Sequence, residues 1–116
     1  MVTIWHNPRC GKSREGLKTL EEQNIEFETL KYLDTPPSKD ELASVIKKLG
    51  IHPKELVRTK EAIYKELGLK NRELSEEEWI EVISEHPKLI ERPVVIKDDR
   101  AVIGRPASKI VELLKS

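Results

Sequence analysis

The chain has 116 residues, of which 37% are hydrophobic and 36% charged, and its 21 basic and 21 acidic side chains cancel. One domain of ordinary size is expected, Met1 to Ser116, with a core that needs no staple. The charge balance gives no global attraction to nucleic acid or to an anionic membrane, and no run approaches the roughly 20 apolar residues of a span.

The elements follow in chain order. Val2 to His6 is a β-branched and aromatic run broken by Asn7-Pro8, which predicts a strand. A helix starts near Cys10, with Ser13, Gly16, Leu17 and Leu20 on one stripe, and Gly16 lets it lie close to the layer beneath. Ile25 and Phe27 alternate with Glu26 and Glu28, predicting a second strand from Ile25 to Tyr32. The β-α-β order implies parallel strands joined by a right-handed crossover. Ser38 and Glu41 form a capping-box pair before a helix that ends at Gly50. Shorter helical pieces are expected over Pro53–Arg58 and Lys60–Leu67. Ser75 and Glu78 repeat the capping box before Trp79 and Ile83, and Pro87 closes that segment. Val94–Lys97 and Ala101–Gly104 flank Asp98-Asp99 as a hairpin, and Pro106 opens a last helix with Ala107, Ile110, Val111 and Leu114 on its stripe. The sum is α/β: a β-α-β unit, a helical insert, then β-β-α. That order predicts a small mixed sheet flanked by helices, the thioredoxin-like plan.

One cysteine cannot close an internal disulfide, and Cys10 is the only one. That usage suits a reducing cytosol, and the N-terminus lacks the apolar run of a signal peptide, so a cytoplasmic location is expected. His6, His52 and His86 are scattered without metal-ligand spacing, so no metal site is expected.

Cys10 sits at the mouth of the first helix among Arg9, Lys12, Arg14 and Lys18, with no carboxylate before Glu15. Unpaired amides and the positive end of the helix dipole favour a thiolate there, and neighbouring cations push the same way. The same amides can hold a tetrahedral oxyanion. A free cysteine is more often a small buried hydrophobe, but the polar setting of Cys10 favours the reactive reading. Ser13 occupies the second position of a C-x-x-S pattern, so any disulfide must be made with an external thiol. A C-x5-R phosphatase loop is excluded, because residue 16 is glycine. His6 either tunes the thiolate or is a strand-end histidine with a satisfied hydrogen bond.

The segment "HNPRCGKSRE" resembles the active-site signature of the glutaredoxin-coupled arsenate reductase family, close to H-N-P-x-C-G-T-S-R. The similarity continues through "YLDTPPSKDEL", "LVRTKEAIYKELGL", "HPKLIERPVVI" and "GRPASKIVELL", in the same order along essentially the whole chain. The resemblance implies a thioredoxin-like fold with Cys10 as nucleophile and Arg58, Arg92 and Arg105 around the oxyanion. Guanidinium forks suit that task, since each bonds two oxygens and stays charged. It further implies a cis peptide at Pro93 and support of the thiolate by His6, Asn7, Ser13 and Arg14. Lys12 departs from the signature threonine, adding charge beside the site.

The same resemblance implies that arsenate is reduced to arsenite through a Cys10–arsenic adduct. Glutathione would act as co-substrate and glutaredoxin as partner, with no bound cofactor, in a small charged domain expected to be monomeric. Two other readings are carried by relatives of this fold. One is a redox-responsive regulator or adaptor resembling the Spx-like proteins, which the missing second cysteine disfavours. The other is a glutathione-dependent thiol-transfer protein.

Overall fold

β-Branched and aromatic residues form strand β1 at Val2–Trp5, and Asn7-Pro8 ends it as the sequence requires. The computed structural model describes residues 1–115. They divide into two compact units, Met1–Thr35 with the segment from Arg92 onward, and Pro36–Glu91.

The first unit adds helix α1 (Gly11–Glu22) and strand β2 (Phe27–Leu30), followed by β3 (Val94–Lys97), β4 (Arg100–Ile103) and α5 (Ser108–Lys115). Its four-stranded sheet has the order β2-β1-β3-β4. β1 runs parallel to β2 and antiparallel to β3, and β3 and β4 form the hairpin, turning at Asp98 with φ 53°. This is the mixed α/β, thioredoxin-like sheet that the element order predicts. Val2, Ile4, Leu20, Val95, Ile110 and Leu113 make its apolar core, so α1 and α5 both pack against the sheet through their striped faces. Complete burial of side chains such as Ile4 and Leu20 stabilises the unit by about 1.5–3 kcal/mol each.

Several boundaries differ from the sequence reading; β1 ends at Trp5 rather than His6, and β4 ends at Ile103 rather than Gly104. β2 is shorter than Ile25–Tyr32, because Lys31 begins a turn whose carbonyl accepts from the amides of Asp34 and Thr35, each at 3.0 Å. β4 starts one residue early, at Arg100. α5 starts at Ser108 rather than Pro106. The residues ahead of it are tied to the sheet: the Gly104 amide donates to the Pro93 carbonyl at 2.8 Å, and Arg105 to Ile103 at 2.8 Å. Both Arg92–Pro93 and Arg105–Pro106 are cis peptides, only the first of which was expected.

Gly16 does what its place on the α1 stripe suggests. A β-carbon there would lie 2.6 Å from Cγ of Pro93 and 3.2 Å from Cδ1 of Ile110. A proline ring cannot fold away, so Gly16→Ala must push α1 off the sheet. Overpacking of about 1–3 kcal/mol outweighs the roughly 1 kcal/mol gained in helix propensity, and a net loss is expected in urea unfolding.

The second unit holds α2 (Lys39–Leu49), α3 (Ala62–Glu66) and α4 (Glu76–Glu85), with single 3-10 turns at Pro53–Leu56, Leu69–Asn71 and Pro87–Leu89. Both predicted capping boxes are made: Ser38 accepts from the Glu41 amide and Ser75 from the Glu78 amide, each at 3.1 Å, with the glutamates bonding back. Gly50 closes α2 in the left-handed region, at φ 68°. α3 is shorter than the predicted Lys60–Leu67, since Gly68 adopts φ 63° immediately after the chain leaves the helix at Leu67. A bridge between Val57 and Ile90 pins the loops around Arg58 and Glu91 to each other.

Candidate active site

Asn7 and Ser13 shape the loop that carries the thiol. The Asn7 side chain accepts from the Arg9 amide at 3.0 Å, and its carbonyl accepts from the Cys10 amide at 3.0 Å. The chain is thereby turned so that Cys10 becomes the N-cap of α1, with φ −97° and ψ 123°. Its carbonyl accepts the first helical bond, from Arg14 at 3.0 Å, but its side chain caps nothing. No acidic residue stands in the first turn of α1. The first-turn amides and the positive end of the dipole are therefore not neutralised locally, and the half-buried Cys10 sulfur lies beside them.

Arg105 reaches this sulfur from the far end of the sequence. Its Nη2 lies 3.7 Å from Cys10 Sγ while its Nε donates to the Arg92 carbonyl at 2.8 Å. One edge of the guanidinium is thus fixed on the backbone and the other faces the thiol. Arg92 is buried, with 8% of its surface exposed, and Pro93 follows immediately before β3. Gly104 is the second close approach in this region. A β-carbon there would meet Ile110 at 2.8 Å and Pro93 at 3.0 Å, so the residue before Arg105 has room only for hydrogen.

His6 and Ser13 form the buried floor of the loop. His6 Nδ1 and Ser13 Oγ are 2.7 Å apart, and Ser13 Oγ also accepts from the Asn7 amide at 2.9 Å. With one acceptor position filled by the amide, the hydroxyl proton is best used toward Nδ1, which places the ring proton on Nε2. Burial, followed by the Lys31 charge, lowers the His6 pKa from 6.5; the Ser13 bond opposes this and Arg14 adds to it. His6 is a satisfied strand-end histidine, and its partner belongs to the cysteine loop.

The sign of the pH effect follows. Below about pH 6.5 the unfolded chain takes up a proton at His6 that the folded chain resists, so stability falls as pH drops from 6.5 through the lower folded value. The melting temperature should therefore decline more steeply between about pH 7.5 and about pH 5 in the wild type than in His6→Asn. Equal slopes would remove His6 from the account.

The cations that cluster in the sequence behave differently from one another. Arg14 donates to the Pro8 carbonyl at 2.9 Å, bracing the loop, and Lys12 lies 3.6 Å from Glu15. Of the three arginines, Arg92 and Arg105 meet through the bond to the Arg92 carbonyl. Arg58 belongs to the second unit, where Nη1 donates to Glu61 at 2.7 Å and Nε faces Glu91 at 3.4 Å. Sequence reasoning missed both carboxylates. The Arg58–Glu61 spacing of three was a usable signal. Glu91 had none, since the Val57–Ile90 bridge brings it near. Among the described residues no cluster of three metal-ligating side chains occurs, and no helix is long and apolar enough to cross a membrane.

Residues 5–113 match the model of the ArsC family. An arsenate reductase of Haemophilus influenzae is 48% identical over 97% of this chain and 98% of its own length. One from Neisseria meningitidis serogroup A is 45% identical over 97% of each chain. Among solved structures, an arsenate reductase from Vibrio cholerae superposes with a TM-score of 0.91 at 45% identity, over 96% of this chain and 95% of its own.

Proposed function

The chain belongs to the ArsC family, and from that premise we propose that it is an arsenate reductase with Cys10 as its nucleophile. The observation that carries the reading is the approach of Arg105 Nη2 to Cys10 Sγ, 3.7 Å away, at a helix N-terminus free of acidic side chains. A guanidinium and a set of unpaired amides converging on one sulfur suit an anion that the sulfur attacks.

The proposed reaction has three stages. Arsenate is held by Arg105 and Arg92 and by the first-turn amides of α1. Arg58 is assigned to the same anion by the resemblance alone. The Cys10 thiolate attacks arsenic; a sulfur–arsenic bond forms and one oxygen leaves as water after taking up protons. A glutathione thiolate then attacks Cys10 sulfur, forming a mixed disulfide. The electron pair of the broken sulfur–arsenic bond stays on arsenic, which leaves as arsenite. Glutaredoxin reduces the mixed disulfide and restores Cys10. Across the cycle two thiols become one disulfide, arsenic gains two electrons and one water is released. An external reductant is required because Ser13 stands where a second cysteine would otherwise close the disulfide.

In this reading His6, Asn7, Ser13 and Arg14 hold the loop, and Pro93 supports it from beneath. The protein acts as a single-domain cytoplasmic monomer with no bound cofactor. Arsenate-dependent NADPH oxidation, coupled through glutathione, glutaredoxin and glutathione reductase, tests the function. Turnover that requires all the components is expected. Activity toward glutathionylated substrates with none toward arsenate would replace this reading by a thiol-transfer function.

A further inference from the structure

Two glycines of the first unit close on the same pair of side chains. A β-carbon at Gly16, on α1, would lie 2.6 Å from Pro93 Cγ and 3.2 Å from Ile110 Cδ1. One at Gly104 would lie 2.8 Å from that same Cδ1, 3.0 Å from Ile110 Cγ1 and 3.0 Å from Pro93 Cγ. Neither glycine has a positive φ, so close packing and not backbone conformation keeps a side chain out. Gly16 belongs to the helix whose N-cap is Cys10, and Gly104 immediately precedes Arg105. Pro93 and Ile110 thus abut both segments that bring Nη2 within 3.7 Å of the sulfur.

Residues 104 and 105 hang on residues 92 and 93 by two bonds. The Gly104 amide donates to the Pro93 carbonyl at 2.8 Å, and Arg105 Nε donates to the Arg92 carbonyl at 2.8 Å. Ile110 is the stop against which these bonds hold the segment. It cannot swing aside, because it is fully buried in the core with Val2, Ile4, Leu20, Val95 and Leu113. The closed ring of Pro93 cannot yield either. A carbon added at Gly104 must therefore displace the backbone, and Arg105 moves with it.

We infer that Ile110 is a positioning residue for the arsenate seat: its Cδ1, held against Gly104, sets where Arg105 stands relative to the Cys10 sulfur. Ile110 acts through Gly104 and Arg105 and not through a contact of its own with the anion. The device matters because a donor misplaced by about 1 Å can cost roughly 10²-fold in rate. This inference rests on the placement of arsenate between Arg105 and Cys10 in the proposed function.

The test compares Gly104→Ala, Ile110→Val, their double variant and Val95→Ala by three readouts: the coupled assay, protection of Cys10 from iodoacetamide by arsenate, and melting temperature. In G104A, kcat/KM for arsenate should fall roughly 10–100-fold, and half-protection should need correspondingly more arsenate. I110V removes the Cδ1 methyl. The double variant should therefore return to within about threefold of I110V alone, even where G104A by itself is too unstable to assay. Gly16→Ala meets Pro93 first, at 2.6 Å, so I110V should not rescue it. V95A thins the same core from β3 and should lower the melting temperature while kcat/KM stays within about threefold of the wild type. A double variant that stays about tenfold or more below I110V, or an unimpaired G104A, overturns the role of Ile110. So does a loss of kcat/KM in V95A equal to that in G104A, which would mark a general loosening of the core. Absence of both arsenate turnover and protection in the wild type would instead remove the proposed function, and the seat with it.

Discussion

Replacement of Cys10 by serine is expected to abolish arsenate-dependent thiol oxidation, a loss of roughly 10⁴-fold or more. Two successive steps of the proposed cycle need sulfur at this position. A serine hydroxyl is a poor nucleophile toward arsenic without a strong base. An oxygen–arsenic ester, if formed, offers no sulfur on which glutathione can build a disulfide. The fold should survive the change, because the Cys10 side chain makes no capping bond and only its backbone holds the turn. Unaltered circular dichroism with no turnover is the expected pairing. Residual activity within about tenfold of the wild type would place the chemistry elsewhere.

Arg105→Ala is expected to lower kcat/KM for arsenate by roughly 10²–10³-fold, the usual consequence of deleting one preorganised donor to a developing anion, or about 2.7–4 kcal/mol. The guanidinium spans two functions: Nε is anchored on the Arg92 carbonyl and Nη2 faces the sulfur. Lysine restores the charge but cannot make both contacts at once, so Arg105→Lys should recover only part of the loss. If lysine restored full activity, charge alone would suffice and the anchored fork would have no purpose. Unchanged melting temperature in Arg105→Ala would separate this effect from damage to the segment before α5.

Much of the architecture is local in origin and was therefore legible. The Asn7-Pro8 break, the two capping boxes and the left-handed Gly50 each act within a few residues, and each is made as the sequence predicts. The two β-rich runs on either side of the polar turn at Asp98-Asp99 likewise declare the hairpin. Boundaries were less legible where tertiary bonds decide them. α5 loses its first residues because Gly104 and Arg105 bond back to Pro93 and Ile103.

The site divides in the same way. Cys10 at a helix mouth is readable from its neighbours, and so is the role of Ser13 in excluding an internal disulfide. The contact between Arg105 and Cys10 spans 95 positions, so no local pattern announces it; only the family resemblance pointed there. Conversely, the local cationic cluster overstated its own part. Arg14 is turned to the Pro8 carbonyl and Lys12 toward Glu15, while the contact to sulfur comes from a distant arginine. Glu91 beside Arg58 illustrates a third case, a long-range ion pair set by a backbone bridge that composition cannot reveal.

The central claim is that the Cys10 sulfur and the Arg105 guanidinium together form the seat of a tetrahedral anion. Alkylation of Cys10 by iodoacetamide, followed by intact mass with increasing arsenate, measures this without any coupling enzyme. Saturable protection in the wild type and its loss in Arg105→Ala are predicted. Labelling at one rate regardless of arsenate, or protection that persists without Arg105, would contradict the account.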